Sequence, residues 1–247
     1  SCTSVTSVTL SQGRLRSLAE GAFAGCNSLS SVTVPEGVTE LGGSAFAGCT
    51  ALTSVSLPPT LTAVGDRAFY YCTALTSVHL PDGLRTVGES AFAYNTKLTV
   101  FTFPDSVSEI GESALANCTA LYRLTLPAAL HTVPASLCEK CTALGGAELP
   151  DAVTTVSEKA FAGCTSLVRV VLSRAIAEIK SNAFAGCTNL RNVEYAGSTA
   201  DFAAVRIGAG NTFIPYVQSD RAVKRSGVEI SDPEPFRDSF CERGLPR

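Results

Sequence analysis

The sequence predicts a repeat solenoid with a parallel β-sheet, and two observations support that prediction. Seven cysteines share one 23-residue spacing, in which Asn95 occupies the one position without a cysteine: Cys26, Cys49, Cys72, Cys118, Cys141, Cys164 and Cys187. Around these positions the chain repeats the unit C-T-x-L-T-S-V-x-L-P-x-x-L-T-x-V-G-x-x-A-F-A-G. A fixed period in the twenties is typical of coils that cannot bury their own apolar side chains and therefore stack on their neighbours.

The first half of each unit, L-x-x-V-x-L, predicts a short strand whose last positions alternate between core and solvent. The predicted inward residues of three successive units are Leu29, Val32 and Val34, then Leu52, Val55 and Leu57, then Leu75, Val78 and Leu80. A proline follows directly at Pro35, Pro58, Pro81, Pro104, Pro127 and Pro150. Because proline has no N–H for a sheet ladder, it fits the point at which the strand ends.

The second half of each unit adds an apolar pair, a glycine and usually a phenylalanine. The pairs begin with Val38 and Leu41, and the glycines at Gly42, Gly65, Gly88 and Gly111 indicate a tight corner. The last position forms a phenylalanine ladder with two exceptions: Phe23, Phe46, Phe69, Phe92, Leu115, Cys138, Phe161 and Phe184. About eight such coils, stacked at ~4.8 Å each, would form an array roughly 40 Å long.

Three segments are expected along the chain. Residues 1–195 hold the solenoid, with a degenerate first repeat, as terminal repeats often are. Residues 196–214 read as a C-terminal cap, which opens with the capping-box pattern of Ser198 and Asp201. Residues 215–247 have a higher charge density and an Asp-Pro-Glu-Pro sequence, which are typical of a polar tail or linker that is partly disordered.

The composition argues against several classes of partner. The net charge of −3 and the lack of a Lys/Arg cluster predict no nucleic-acid binding. No apolar run approaches the roughly 18 residues of a membrane helix, so we expect no membrane insertion. No initiator Met or signal-peptide pattern is present at Ser1, and we therefore expect a mature or excised segment of a longer protein.

The ten cysteines are interpreted as mainly structural. Seven of them occupy one repeated position that also accepts Asn95, as expected of a buried residue that hydrogen-bonds to neighbouring turns. Free cysteine packs as a small hydrophobic residue, so we expect a stack of inert buried thiols. Disulfides between coils are the alternative, and the cysteine count alone does not identify the redox compartment.

Candidate sites for chemistry are few. Cys138 and Cys141 form the one C-x-x-C sequence, but Cys138 lies at the ladder position of a phenylalanine, and Leu137 replaces an alanine beside it as if to compensate the lost volume. His79 stands among outward serines and threonines, which suggests a surface histidine. Asn117-Cys118-Thr119 matches a glycosylation sequon, which we attribute to chance. We expect no enzyme activity, no metal and no cofactor.

Two groups of outward residues are candidates for partner binding. From the fifth repeat on, large and charged side chains replace Ser and Thr on the strands, and we call them the sheet patch: Tyr122, Arg123, Glu148, Arg169, Arg191 and Glu194. Tyrosine and arginine are enriched at interface hot spots. The second group, the tyrosine patch, contains Tyr70, Tyr71, Tyr94 and Lys97, and two of its tyrosines replace the glycine before the cysteine position. For the sheet patch, the alternative is an ordinary solvated sheet face. For the tyrosine patch, the alternative is rim packing that covers Asn95.

The unit A-F-A-G-C-T-x-L-T-x-V-x-L-P resembles the BspA-like, or Treponema pallidum-type, leucine-rich repeat over residues 1–195. The segment from Glu194 to Ser198, followed by Arg206 to Asn211, resembles the closing segment of bacterial surface members, with Phe202 in place of the usual Trp. The resemblance implies a right-handed leucine-rich-repeat coil with a parallel sheet and short irregular or helical convex segments.

The resemblance also implies a function. Family members are linked to adhesion, including binding of host matrix and plasma proteins, and to aggregation between microbes. We therefore expect a non-catalytic protein-recognition module that is secreted or at the cell surface. The alternatives are a structural spacer in a larger surface protein and an intracellular scaffold, which fits unpaired cysteines better.

Overall fold

The chain folds into a parallel β-solenoid, as the repeat predicts, and nearly every coil contributes two short strands. The computed structural model describes residues 2–10, 13–195, 197–211 and 217–219. Within these residues the one helix is α1, Thr199–Ala203, and the segments between strands are mostly turns. The convex side is therefore built from turns and two-residue strands.

The first strand of each coil comes from the V-x-L segment and forms what we call the sheet face. These strands are β1 (Ser7–Thr9), β3 (Ser31–Thr33), β5 (Ser54–Ser56), β8 (Val100–Thr102), β10 (Arg123–Thr125), β12 (Gly146–Glu148), β14 (Arg169–Leu172), β16 (Asn192–Tyr195) and β18 (Val217–Ser219). They pair in parallel in the orders β1-β3-β5, β8-β10 and β12-β14-β16-β18. Because β18 pairs with β16, the sheet continues beyond residue 214, where the sequence analysis ends the cap.

The second strand of each coil is only two residues long and includes the second residue of the apolar pair. These strands are β2 (Ser17–Leu18), β4 (Glu40–Leu41), β6 (Ala63–Val64), β7 (Thr86–Val87), β9 (Glu109–Ile110), β11 (Thr132–Val133), β13 (Thr155–Val156), β15 (Glu178–Ile179) and β17 (Arg206–Ile207). They form two parallel sheets in the orders β2-β4-β6-β7-β9 and β11-β13-β15-β17. A second row of coil-to-coil hydrogen bonds thus holds the solenoid together.

The predicted inward residues form one continuous core. Leu29, Leu52 and Leu75 are fully buried, and the phenylalanine ladder is buried from Phe46 to Phe92. Neighbouring rings from Phe23 to Phe92 stack with centroids 5.3, 5.3 and 5.2 Å apart. Offset stacking at this separation adds to the free energy gained from apolar burial.

The cysteine position forms a hydrogen-bonded ladder inside this core. Each side chain donates to the carbonyl oxygen of the phenylalanine-ladder residue one coil earlier, at 3.1–3.2 Å from Cys49, Cys72, Cys118, Cys141, Cys164 and Cys187. Asn95 makes the equivalent bond from Nδ2 to the Phe69 carbonyl at 3.0 Å and a second bond to the Phe92 carbonyl at 2.7 Å. Asparagine is accepted because its amide replaces the thiol as donor.

The corner glycines of the first coils allow a close approach of neighbouring backbones. A Cβ atom built on Gly65 would lie 2.8 Å from the Leu41 carbonyl oxygen and 2.8 Å from the Gly43 nitrogen. Real Cβ atoms do not approach backbone so closely, so a larger residue here needs a local shift, and the later coils hold Pro134, Ser157 and Lys180 at this position. The predicted tight corner is therefore confirmed, with steric closeness as its cause.

The sheet face is interrupted at one coil for which a strand was predicted. Residues 77–79 are not in a strand, although Leu75 and Leu80 are buried as expected. In the next coil Phe101 and Phe103 replace Val and Leu, and both rings are buried and packed edge-on, Phe101 against Phe92 at 4.9 Å and Phe103 against Phe101 at 4.8 Å. We attribute the interruption to these larger side chains, because overpacking a core shifts the backbone.

The C-terminal end of the core is closed by α1 and by Asn211. Ser198 and Asp201 form the predicted capping box, with Ser198 N donating to Asp201 Oδ2 at 3.0 Å and Asp201 N to Ser198 Oγ at 3.1 Å. Asn211 accepts from the Phe184 N–H at 3.0 Å and donates to the Lys180 carbonyl at 2.9 Å. Residues 212–214 of the predicted cap, and the predicted tail apart from Val217–Ser219, lie outside the described residues.

Candidate binding surfaces

The sheet face changes character along the solenoid, as the sequence predicts. In β1, β3 and β5 the outward residues are Ser and Thr, and they are exposed. From β10 onward these rows carry Arg123, Glu148, Arg169 and Glu194, whereas Tyr122 and Arg191 directly precede β10 and β16. The register aligns Glu148 and Glu194 with Val171, so the two carboxylates lie on the strands that flank Arg169.

Arg169 is the centre of an ion-pair cluster on the sheet patch. Its Nε and one terminal nitrogen each donate to Glu194 at 2.7 Å, and its other terminal nitrogen donates to Glu148 at 3.1 Å. Hydrogen bonding to Glu194 raises the pKa of Arg169, and hydrogen bonding to Arg169 lowers the pKa of Glu194. This cluster ties β12, β14 and β16 together, and it already uses three of the predicted binding residues.

The other residues of the sheet patch remain exposed to solvent. Tyr122 is 45% exposed, and Arg123 and Arg191 are also exposed. The structure adds Val168, which is 50% exposed and lies in the same repeat position as Tyr122 and Arg191. The sequence signal for Val168 is the replacement of the consensus threonine of Leu-Thr-Ser-Val, seen at Thr53, by an apolar residue.

The tyrosines of the tyrosine patch come together at one corner of the solenoid. The ring centroids of Tyr70 and Tyr94 are 5.3 Å apart with their planes at 63°, and the Tyr71 ring lies 6.1 Å from that of Tyr94. Tyr71 and Tyr94 are 47% and 37% exposed, so their rings are not consumed by packing. Lys97 is exposed but does not line the cleft beside them.

A cleft of about 450 Å³ adjoins these tyrosines. It is lined by Arg67, Tyr70, Ser90, Ala93, Tyr94, Ser113, Ala116, Asn117, Glu139 and Lys140. The predicted tyrosine patch does not include Arg67, Asn117, Glu139 or Lys140. A signal existed at Asn117 and Lys140, since both replace the consensus glycine, as Tyr71 and Tyr94 do.

The thiols of the ladder are free and buried. Burial raises the pKa of Cys49 to about 11 and that of Cys187 to about 12. Cys138 and Cys141 are fully buried, and burial together with a hydrogen bond donated to Cys138 raises the pKa of Cys141 well above its ordinary value. A reactive C-x-x-C needs an accessible thiolate, so this pair is structural. No cluster of His, Cys, Asp and Glu suited to a metal ion occurs among the described residues.

His79 borders a smaller cleft of about 240 Å³ at the interruption of the sheet face. Asp82 also lines this cleft, a carboxylate that strand register alone does not place near His79.

The sequon residue Asn117 is half-buried, and Cys118 beside it points into the core. Within the described part of the chain, the structure contains no helix of the length and hydropathy needed to cross a bilayer.

The repeat matches a known family model, and solved structures share its fold. The model of the "BspA type Leucine rich repeat region" matches in six copies, over residues 1–121 and 91–204. No curated protein sequence matches the chain significantly.

Solved structures share the fold. A leucine-rich repeat protein from Bacteroides ovatus is 27% identical, with a TM-score of 0.64, 78% of this chain covered and 55% of that one. The T. pallidum leucine-rich repeat protein is 28% identical, with a TM-score of 0.51 and coverages of 70% and 71%. A leucine-rich cell surface protein from Faecalibacterium prausnitzii is 26% identical, with a TM-score of 0.50 and coverages of 76% and 65%. The chain thus spans only about half of the Bacteroides ovatus structure, and on the strength of the repeat model it belongs to the BspA-type leucine-rich repeat family.

Proposed function

We propose that this chain is a non-catalytic protein-recognition module of a cell-surface or secreted protein, which mediates adhesion to host or matrix proteins or to other cells. Repeats of this family are in general non-catalytic and bind proteins. The surface location is supported by the Faecalibacterium prausnitzii neighbour, whose description is a cell surface protein.

The main support for recognition is the change of side chains along the sheet face. The solenoid needs only its inward residues to fold, and Ser and Thr suffice outside in β3 and β5. At β10 and beyond, Tyr122 and Val168 expose apolar surface beside Arg123 and Arg191. Exposed aromatic and aliphatic side chains with arginines near them in the repeat have the composition of an interface hot spot.

The ion-pair cluster is assigned a positioning role in this surface. Arg169 is occupied by Glu194 and Glu148, so a partner would have to displace strong charge-assisted bonds to reach it. We therefore expect partner contacts at Tyr122, Arg123, Val168 and Arg191, with Arg169 keeping the strands in place.

The test is binding of the full chain to immobilised fibronectin, laminin, collagen and fibrinogen. Arg123→Glu and Tyr122→Ala are compared with Ser54→Glu, which places the same residue at the equivalent strand position of β5. Saturable binding that is weakened at least tenfold by the first two variants, and unchanged by Ser54→Glu, supports the proposal. Equal binding by all variants overturns the assignment to the sheet patch. Absence of binding to every probe overturns adhesion and favours the spacer function.

A further inference from the structure

Four consecutive coils depart from the repeat at a position where glycine is favoured by the backbone. Gly25 and Gly48 precede the cysteine position on one side, and Gly163 and Gly186 do so on the other. Between them lie Tyr71, Tyr94, Asn117 and Lys140, with φ values of 60°, 64°, 60° and 61°. The left-handed region is sterically unfavourable for residues with a Cβ, and most so for bulky ones. The fold does not need these side chains, because the flanking coils use glycine at the same site.

Three of these side chains, Tyr94, Asn117 and Lys140, build one wall of a groove that runs along the solenoid axis. The Tyr71 ring lies just outside this lining, 6.1 Å from the Tyr94 ring. The rows are aligned by coil-to-coil bonds, with Tyr71 N donating to the Ala93 carbonyl at 2.9 Å, Tyr94 N to the Ala116 carbonyl at 2.8 Å and Asn117 N to the Glu139 carbonyl at 2.7 Å. Two buried alanines, Ala93 and Ala116, therefore form the floor.

The same register defines the other sides of the groove. Tyr70 and Glu139 occupy the floor position in the flanking coils and close its two ends. Arg67, Ser90 and Ser113, one in each successive coil, form the opposite wall. The groove is open to solvent, and its volume of about 450 Å³ is within the range of sites for small ligands.

The lining excludes several kinds of ligand. The backbone N–H groups of Tyr71, Tyr94 and Asn117 are used between coils, so an extended peptide finds no free edge for strand addition. The wall opposite the tyrosines is polar, which is unsuitable for the rings of a proline-rich peptide. Arg67 and Lys140 are balanced in part by Glu139, so the groove does not select a highly charged ligand of one sign.

We propose that this groove binds a neutral oligosaccharide. A sugar ring has one apolar C–H face and a rim of hydroxyl groups. The exposed Tyr94 ring in the wall, with the exposed Tyr71 ring beside it, offers an aromatic surface for the apolar face of the sugar. The Asn117 amide and the Glu139 carboxylate offer donors and acceptors for its hydroxyl groups. Arg67, Ser90 and Ser113 continue this hydroxyl-binding lining on the other wall.

The site is separate from the function proposed above. It shares no residue with the sheet patch, and recognition of a sugar here neither requires nor excludes a protein partner on the sheet face. Loss of sugar binding and loss of protein binding are therefore distinguishable by the variants that cause them.

The test is titration of the full chain with maltotetraose, mannotetraose, xylotetraose and chitotetraose, followed by tyrosine fluorescence and calorimetry. Because the chain has no Trp, the emission of its six Tyr, which include the groove tyrosines, is not masked by tryptophan fluorescence. The decisive variant is Tyr71→Gly/Tyr94→Gly, which restores the residue of the flanking coils and should fold at least as well. Lys159→Gly is the matched control, because it replaces another left-handed residue, φ 57°, outside the groove.

We expect at least one neutral tetrasaccharide to bind, with affinity reduced at least tenfold in the double-glycine variant and in Asn117→Ala, and unchanged in Lys159→Gly. The proposal is overturned if none of the four sugars binds, or if binding survives the double substitution. It is also overturned if a heparin tetrasaccharide or a proline-rich peptide binds the groove and the neutral sugars do not.

Discussion

The coils around Phe46 and Phe69 and the coils around Leu115 and Cys138 fill the same interior with different side chains. In the first region identical rings stack coil upon coil about 5.3 Å apart. In the second the ladder has lost its rings, yet Leu115 and Cys138 are as completely buried as the phenylalanines.

The second region keeps its volume through neighbouring substitutions. Leu137, beside Cys138, is fully buried where the repeat has alanine. Interior departures from the repeat are thus accompanied by compensating changes, as close packing requires. Exterior departures such as Tyr71, Tyr94 and Tyr122 fill no interior volume and stay exposed, which is the reason for assigning function to them.

The largest expected effect tests the intact ladder. Phe92→Ala removes a ring that contacts both Phe69 and Phe101, and such core truncations cost about 3–5 kcal/mol. Cys138→Ala, at the equivalent position of the broken ladder, removes a single sulfur atom and should cost about 1 kcal/mol. Urea denaturation measures both, and a loss below about 1 kcal/mol for Phe92→Ala would contradict the ladder's role.

The second prediction tests compensation in the broken ladder. Cys138→Phe restores the consensus ring but places it beside Leu137 in a filled site, so we expect a loss of about 1–3 kcal/mol from overpacking. Leu137→Ala/Cys138→Phe restores the consensus pair and should recover most of that loss. A double-mutant cycle in urea measures the coupling, and additive effects would show that the two residues do not compensate each other.

The third prediction concerns the one asparagine in the cysteine ladder. Asn95→Ala removes the donor to the Phe69 and Phe92 carbonyls and should cost about 1–2 kcal/mol, since Phe92 keeps Cys118 as a donor. Asn95→Cys should be neutral or stabilising, because it keeps the bond to Phe69 and removes Oδ1, a buried atom without a partner in the described structure. Equal destabilisation by both variants in thermal unfolding would argue against this hydrogen-bond account.

The smallest effect is expected at the exterior ion-pair cluster. Arg169 lowers the pKa of Glu194 in the folded chain, so the pair stabilises the fold above the ordinary carboxyl pKa of about 4.3 and loses that contribution as the pH falls through the lowered value. Both side chains are partly exposed, and we expect Glu194→Gln to cost at most about 1 kcal/mol at pH 7.

The pH dependence separates this pair from a general charge effect. The stability difference between the unmodified chain and Glu194→Gln should shrink from pH 7 to pH 3 in urea denaturation. Glu148→Gln should show a smaller difference, because Glu148 receives one bond at 3.1 Å and is more exposed. A difference that is constant with pH would show that the Glu194 carboxylate does not stabilise the fold.

Much of the architecture is predictable because the period places equivalent residues on neighbouring coils. The spacing of the cysteines correctly predicts a buried ladder, and the bond from Asn95 to Phe69 shows why asparagine is accepted there. The tyrosine cluster is predictable for the same reason, since Tyr71 and Tyr94 are 23 positions apart and the register brings them together.

Side-chain contacts between residues at different positions of the repeat are not predictable in this way. The period does not say that Arg169 reaches diagonally to Glu148 and Glu194, because that contact depends on rotamers and on the offset of rows across strands. It also does not predict that residues 77–79 leave the strand or that His79 and Asp82 line one cleft there.

The sequence alone therefore determines the solenoid, its inward residues and the hydrogen-bonded ladder, because these depend on contacts that recur at one fixed separation along the chain. The tertiary structure decides which outward residues meet across turns, such as Tyr94 and Glu139 in one groove. Those meetings depend on backbone angles and side-chain volumes of several coils at once, and no single repeat contains that information.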